Sequence, residues 1–494
     1  MSLEARELLH RHFGHPSFRG QQEAVVDHVL AGGNALVVMP TGQGKSLCYQ
    51  LPALARPGLT VVVSPLIALM KDQTDALRAR GLDAVTLNSS QSGAERGRIL
   101  SALAQGRHRL LHVSPERFRK PAFRQALAAR PVEFLAVDEA HCISEWGHDF
   151  RPDYTRLAEF RQLLKDPVTL ALTATATPRV QEDIVRQLGL RPAEIRLFHD
   201  GVERPNLRLA VQDVHGVKEK AEWLIRLLRE TEGSAIVYFA LIRSLEELSP
   251  LLEKAGLPHL VYHGQLPRQR RRAVQEAFMG DPQARVLATN AFGLGVDKAQ
   301  IRLIAHAEVP GSLEAYAQEI GRAGRDGRPA DCVLLYDQQD LLIQMQFVDW
   351  ANPAPGFLER LLTLLRDRPG EVQAGGLDFL REELVFKSRF DFRLETALSL
   401  LERHGVLEGD LERGAVQVLR ERLPEPLADE ERAAAKKRGD LTRLHDLVRY
   451  VGAAECRHRF LHRFFGAEPG APCGDCDVCR SNGPFVLHEP QLDC

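Results

Sequence analysis

Ala35-Leu-Val-Val-Met-Pro-Thr-Gly-Gln-Gly-Lys-Ser-Leu-Cys-Tyr-Gln-Leu51 is the stretch whose reading decides the fold. Ala35–Val38 is a short apolar run of the kind that forms a buried strand, and Leu47–Leu51 reads as the first turns of a helix. Strand, glycine loop and helix, with Gly-Lys-Ser at the joint, make a phosphate-binding geometry. Gly42 and Gly44 let backbone N–H groups turn inward around phosphate oxygens, and Thr41 opens that loop. Lys45 brings a point charge to the β- and γ-phosphates, and Ser46 offers a hydroxyl to Mg²⁺. Met39 stands where the strict phosphate-loop pattern has glycine.

Around this stretch lie 494 residues, enough for about three or four domains at ~100–200 residues each. A formal net charge of −2 means that a nucleic-acid site has to come from local clustering. The longest apolar run, Leu59–Met70, contains Ser and Pro and is far short of the ~20 residues that span a bilayer. The N-terminus lacks the apolar segment of a secretory signal. Of the eight cysteines, Cys48, Cys142 and Cys332 sit singly in apolar or motif surroundings. Cys456, Cys473, Cys476 and Cys479 cluster, with Cys494 at the terminus. This is the pattern of a cytoplasmic protein with one metal site rather than a disulfide framework.

Short β-branched runs alternate with helical patterns along the first two-thirds of the chain. Strands are expected at Ala35–Met39, Thr60–Ser64, Leu110–Ser114, Phe134–Asp138 and Thr169–Thr173, an α/β alternation that implies a parallel sheet. The order restarts after Arg204-Pro-Asn206. Strands follow at Leu207–Val211, Ala235–Phe239, Leu260–His263, Val286–Thr289, Leu303–His306 and Cys332–Tyr336. The expected organisation is two tandem RecA-like parallel-sheet lobes, 1–204 and 205–345, a site between them able to open and close. A helical, winged-helix-like domain over 346–430 and a small zinc-binding module over 431–494 complete it.

Asp138-Glu-Ala-His141 follows the strand Phe134-Leu-Ala-Val137. An acidic pair at a strand end beside a phosphate loop suits nucleotide hydrolysis. Asp138 holds Mg²⁺ through water, and Glu139 orients and deprotonates the attacking water. Together with Gly42-Gln-Gly-Lys-Ser46, Thr173-Ala-Thr-Ala-Thr177 and Gln318-Glu-Ile-Gly-Arg-Ala-Gly-Arg-Asp-Gly327, it occurs in helicase order. The chain resembles a superfamily-two helicase. Ala140-His-Cys-Ile-Ser-Glu-Trp-Gly-His-Asp-Phe-Arg-Pro-Asp-Tyr154 narrows the resemblance to the RecQ family of DNA helicases. The resemblance covers roughly the first 340 residues and the cysteine cluster.

Trp146, Phe150 and Tyr154 recur at four-residue spacing with His148 and Arg151 between them. Aromatic faces stack on bases and Arg pairs with phosphate. The resemblance implies that this loop couples strand binding to ATP turnover. It also implies an adenine-recognition role for Phe13-Gly-His-Pro-Ser-Phe-Arg-Gly-Gln-Gln22, with Gln22 on the adenine edge, supported by Arg19. Arg322 and Arg325 are three apart, so on a helix both face one side. Arg325 is the candidate arginine finger and Arg322 its support, with the roles exchangeable. Asp297, in Ala288-Thr-Asn-Ala-Phe-Gly-Leu-Gly-Val-Asp297, is the candidate ribose contact.

Further along, Gln346–Pro355 reads as a linker. Leu398–Gly405 reads as an amphipathic helix with a glycine stop, followed by a hairpin through Gly414 to Val418. Cys473-Gly-Asp-Cys-Asp-Val-Cys479 places three thiolates at two-residue gaps, with Cys456 upstream as the fourth ligand of a structural zinc. His458, His462 and Cys494 compete for that fourth place. Lys436-Lys-Arg438 is a candidate phosphate contact for duplex DNA.

The sequence therefore predicts a monomeric, bacterial, nucleoid-associated enzyme that uses ATP, Mg²⁺ and Zn²⁺ on single-stranded and duplex DNA. The resemblance implies 3′-to-5′ movement and a part in DNA recombination and repair. Two other readings remain: an RNA helicase of the same superfamily, and a zinc and winged-helix DNA-binding protein whose ATP site only switches affinity.

Overall fold

The structure is a computed structural model that describes residues 2–480 except 66, 89–90, 145–153, 155, 202–203, 294–295, 386–390 and 411–414. Contacts divide it into a large unit, 1–337 with 450–494, and a small unit, 338–449.

In the large unit the first lobe holds β1 (Asn34–Val38), β2 (Leu59–Val63), β3 (Ala84–Leu87), β4 (Leu110–Val113), β5 (Val132–Val137), β6 (Val168–Thr173) and β7 (Ile195–His199). They form one parallel sheet in the order β3-β4-β2-β5-β6-β1-β7. All five strands expected from the sequence are present, and the two it did not predict are the two edges. β1, β6 and β5 are neighbours, so the segments that follow them emerge side by side at the carboxyl ends, where open α/β sheets bind ligands. Asn34 fixes the opposite end, its amide bonding Glu194 O (2.9 Å) and Thr169 N (2.8 Å).

The second lobe holds β8 (Leu207–Asp213), β9 (Ser234–Phe239), β10 (Leu260–Tyr262), β11 (Arg285–Thr289), β12 (Ile301–His306) and β13 (Ala330–Tyr336). These pair in parallel in the order β10-β11-β9-β12-β13-β8. Each lobe buries its strands between helices, with Val37, Val62 and Leu172 in the first core and Val237, Leu287 and Val333 in the second.

β8 is an edge strand, and the C-terminal segment covers it. Asp477 N donates to Leu209 O (3.1 Å), Val211 N donates to Asp477 Oδ2 (3.0 Å), and His458 Nε2 reaches Leu207 O (3.0 Å). Arg457 clamps the same carboxylate through two 2.9 Å bonds, and both side chains are buried. On the first lobe, Phe465 O accepts from His199 Nε2 (2.9 Å) at the end of edge strand β7 and from Gln181 Nε2 (3.3 Å). One small module thus covers edge groups of the second sheet and takes a side-chain bond from the first lobe.

The small unit packs the helices Pro355–Asp367, Pro369–Val385 and Arg393–Arg403 with an antiparallel hairpin, β14 (Leu407–Asp410) and β15 (Ala415–Val418). Three helices and a hairpin around one core are the parts of a winged helix. The expected linker at Gln346–Pro355 is mostly the helix Asp340–Ala351. Phe347, Trp350 and Phe392 explain this, since successive ring centroids lie 5.4 Å apart and give the stretch its own packing. The helix placed at the head of the zinc segment packs with this unit: Lys437 pairs with Asp349 (2.7 Å) and Lys436 with Asn352 Oδ1 (2.7 Å). Two of the three cations expected on duplex phosphates therefore already have partners.

Removing one member of a buried ion pair strands the other, at about 3–5 kcal/mol. Asp477→Ala is expected to destabilise the large unit by that amount, read as a lower urea midpoint. An unchanged midpoint would show that the clamp adds nothing.

Candidate ATP site and zinc centre

The phosphate loop leaves β1 at Met39, whose N–H bonds Thr173 O of β6 (3.0 Å). Gly42 (φ +85°) and Gly44 (φ +78°) take the left-handed conformation that curls the loop, and the helix Leu47–Ala55 follows Ser46. Lys45 Nζ donates to Met39 O (3.0 Å) and Pro40 O (3.3 Å). Burial lowers the Lys45 pKa, against the pull of Glu139 and Asp138. Ser46 Oγ accepts from Gln73 Nε2 (3.1 Å), and Gln73 Oε1 accepts from Tyr49 OH (2.7 Å).

Gln22 is tied into this loop. Its Nε2 donates to Gln43 O (2.7 Å) and Gly44 O (3.2 Å), while its Oε1 accepts from Arg19 N (2.9 Å). A Cβ on Gly44 would stand 2.8 Å from Gln22 Nε2. The residue expected on the adenine edge thus also braces the phosphate loop against the Arg19 turn. The Arg19 side chain is exposed.

Asp138 follows β5 and is buried, its N–H bonded to Val63 O (2.8 Å). Burial, and then the neighbouring Glu139 charge, hold its carboxyl well above the usual range, with Lys45 opposing. Glu139 is left-handed (φ +49°), and its N–H bonds Asp138 Oδ1 (3.0 Å). Glu139 Oε2 lies 3.4 Å from His141 Nδ1, which is 2.9 Å from Thr173 Oγ1; that hydroxyl accepts from Thr175 N (3.2 Å). A short polar line therefore runs from the acid pair to the turn after β6.

Trp146, His148, Phe150 and Arg151 lie outside the described residues. Tyr154 is described and corrects the expectation. It is fully buried in the first-lobe core, its hydroxyl donating to Asp138 O (3.3 Å), so its ring supports the acid pair and has no face to offer a base.

The second lobe brings Arg325 to the phosphate loop. Its Cγ would lie 3.1 Å from a Cβ on Gly42, and its guanidinium pairs with Asp297. Asp297, expected at the ribose, thus stands beside the finger candidate. Arg322 turns the other way, donating to Gly293 O inside its own lobe. The helix Leu313–Ile320 ends before both arginines, so the single helix face expected for them does not form. Sequence reasoning also passed over Gln73 and Arg204. The signal for Arg204 was an Arg-Pro-Asn tripeptide at the crossing between two sheets, read only as a boundary.

At the C-terminal end, Cys456, Cys473, Cys476 and Cys479 place their sulfurs within 4.8 Å of one another. Tetrahedral thiolates on zinc stand about 3.8 Å apart, and Cys473 Sγ and Cys479 Sγ are 3.9 Å apart. The N–H groups of Cys473, Cys476 and Cys479 donate to cluster sulfurs at 3.3–3.4 Å, as thiolates require. The residues fit Zn²⁺, with no ligand position left open. His458 faces β8, and Cys494 lies outside the described residues. Cys48, Cys142 and Cys332 are buried thiols.

Three family models match: DEAD/DEAH box helicase over residues 19–184, helicase conserved C-terminal domain over 219–327, and RecQ zinc-binding over 417–480. The ATP-dependent DNA helicase RecQ of Synechocystis sp. is 36% identical across 97% of this chain and 98% of its own length. This chain belongs to the RecQ helicase family. The protein of the same name from Haemophilus influenzae is 43% identical over 68% of this chain. The chain spans about half the length of the Haemophilus influenzae and Pasteurella multocida proteins of that name, 54% and 52%. Among solved structures, Mycobacterium smegmatis helicase Lhr bound to ssDNA and AMP-PNP superposes with a TM-score of 0.53 at 21% identity, over 84% of this chain and 60% of that one. That likeness speaks for the shared fold. Among the described residues no helix is long and apolar enough to cross a membrane.

The RecQ zinc centre is expected to hold one Zn²⁺ per chain by atomic absorption. Cys476→Ser should lose most of it and, because metal binding is coupled to folding, melt at a lower temperature. Full zinc content in that variant would remove Cys476 from the ligand set.

Proposed function

We propose that this RecQ-family chain is an ATP-driven DNA helicase that moves 3′-to-5′ along one strand and serves DNA recombination and repair. The observation that carries the reading is the split site. Lys45 and Ser46 follow β1, Asp138 and Glu139 follow β5 on the other side of β6, and Arg325 of the other lobe lies over Gly42.

In this reading the phosphate loop and Lys45 bind the β- and γ-phosphates. Ser46 and Asp138 would hold Mg²⁺, which would supply positive charge beside the transferred phosphoryl group. Glu139 orients the attacking water and accepts its proton. Arg325 leaves Asp297 for the γ-phosphate, and Arg322 holds the motif to its own lobe. Gln22 and Arg19 join the adenine side to the phosphate loop. The Glu139–His141–Thr173 line is the proposed route by which hydrolysis reaches the DNA-facing strand ends, with Trp146, His148, Phe150 and Arg151 coupling the strand. The working form is a monomer on single-stranded and duplex DNA.

Steady-state ATP hydrolysis is expected to be strongly stimulated by single-stranded DNA and little by RNA. Arginine fingers contribute about 10³–10⁵ in turnover, so Arg325→Ala should fall by at least ~10³-fold. Glu139→Gln should abolish strand separation while retaining nucleotide binding. Equal or greater stimulation by RNA would favour the RNA helicase. Strand separation surviving in Glu139→Gln would favour an ATP-switched binding protein.

A further inference from the structure

Arg204 lies between β7 and β8 and makes a polar contact that joins the ATP-site halves. Arg204 Nη1 donates to Thr41 O and Gly321 O, both at 3.1 Å. Its Nη2 donates to Ala323 O (2.6 Å) and Gly324 O (2.9 Å). One guanidinium therefore holds a carbonyl of the phosphate loop together with three carbonyls of the turn that carries Arg322 and leads into Arg325.

The chemistry matches the place. The helix Leu313–Ile320 ends at Gly321, so the carbonyls around its C-terminus lack intrahelical partners and carry the negative end of its dipole. A planar cation with five fixed donors can serve several such acceptors at once, which an ammonium on a flexible stem cannot do. Thr41 Oγ1 adds a 2.8 Å bond to Gly321 O, and the approach is so close that a Cβ on Gly321 would stand 2.2 Å from that oxygen. Asn206, by contrast, bonds only second-lobe carbonyls, Gly324 O and Arg328 O, both at 2.8 Å.

We infer that Arg204 is a positioning residue of the ATPase: an interlobe latch that sets the Gly321–Gly324 turn, and through it Arg325, against the phosphate loop. The inference rests on the reading of Arg325 as the finger. Arg204 is bonded to backbone carbonyls and acts on the reaction only through the turn. In the closed arrangement the turn is held at several carbonyls. Without the latch the lobes still bind nucleotide, but the finger is no longer held in register.

The test is a mutant cycle on the full chain: wild type, Arg204→Gln, Arg204→Lys, Arg325→Ala and the double variant Arg204→Gln/Arg325→Ala. It reads DNA-stimulated kcat, affinity for a fluorescent ADP analogue, and melting temperature. Misplacement of a catalytic group costs about 10²-fold, so Arg204→Gln should lose roughly that in kcat with nucleotide affinity within about threefold of wild type. Groups that act as one unit are not additive, so the double variant should be no slower than Arg325→Ala within about twofold. Arg204→Lys, which keeps charge and length, guards against misfolding and should also fall, by about 10-fold. Multiplied losses in the double variant, or wild-type turnover in Arg204→Lys, would overturn the latch. Wild-type turnover in Arg325→Ala would overturn the finger, and the latch with it.

Discussion

Charge packed into a partly dry cleft is the constraint that the rest of this structure answers to. Asp138 and Glu139 are consecutive, and burial and mutual repulsion both disfavour the ionised form of Asp138. Lys45 opposes that shift but is itself pushed towards its neutral form by burial. Arg325, brought in from the second lobe, adds a second cation near Lys45 and depresses it further. Two cations and two carboxylates so placed are poorly balanced until an anion stands between the cations and a dication beside the acids. Asp297 answers part of this, giving Arg325 an exposed carboxylate partner away from Lys45. The charges of the two halves are thus best balanced around a metal–phosphate group.

The zinc module answers a different constraint, that of unpaired strand edges. An edge strand exposes N–H and C=O groups that must find water or another partner. β8 is such an edge, and Asp477 and His458 occupy it. β7 is the corresponding edge of the first sheet, and Phe465 O takes a bond from its last residue, His199. His199 Nδ1 in turn accepts from Gly201 N (2.9 Å), at the start of the crossing that carries Arg204. Four thiolates on one ion would give this segment the rigidity to hold its place on β8. The metal's place here is structural, since all four thiolates are its ligands.

How much of this was legible in the sequence follows from where the residues lie. Central strands are buried on both faces, so Val61–Val63 or Ile304–Ala305 announce themselves by composition. The edge strand Ile195–His199 leaves Arg196 and Leu197 exposed, and its short mixed pattern carries no such signal. Motif residues were legible because their spacing is dictated by phosphate, acid and metal chemistry. The partners that hold them were not. Gln73, Arg204 and Asp477 bond to backbone carbonyls or hydroxyls far away in the chain, and a backbone carbonyl leaves no trace in a sequence. The direction of each arginine was hidden for a related reason. Helical spacing would turn Arg322 and Arg325 together, but the helix stops at Ile320 and the turn after it sends them apart.

The glycines of the arginine motif gain a meaning from this. Gly321 is small because the Thr41 hydroxyl occupies the space of its Cβ, and Gly42 is small where the Arg325 stem crosses the phosphate loop. At these points a side chain of one lobe lies against the backbone of the other. The space each glycine leaves is filled, so a Cβ at either position would displace the contact. In this structure the turn is seated under Arg204 and Thr41, which serve its carbonyls. The fit at Gly42 and Gly321 thus depends on both lobes at once, and a side chain added at either glycine acts on the contact between them.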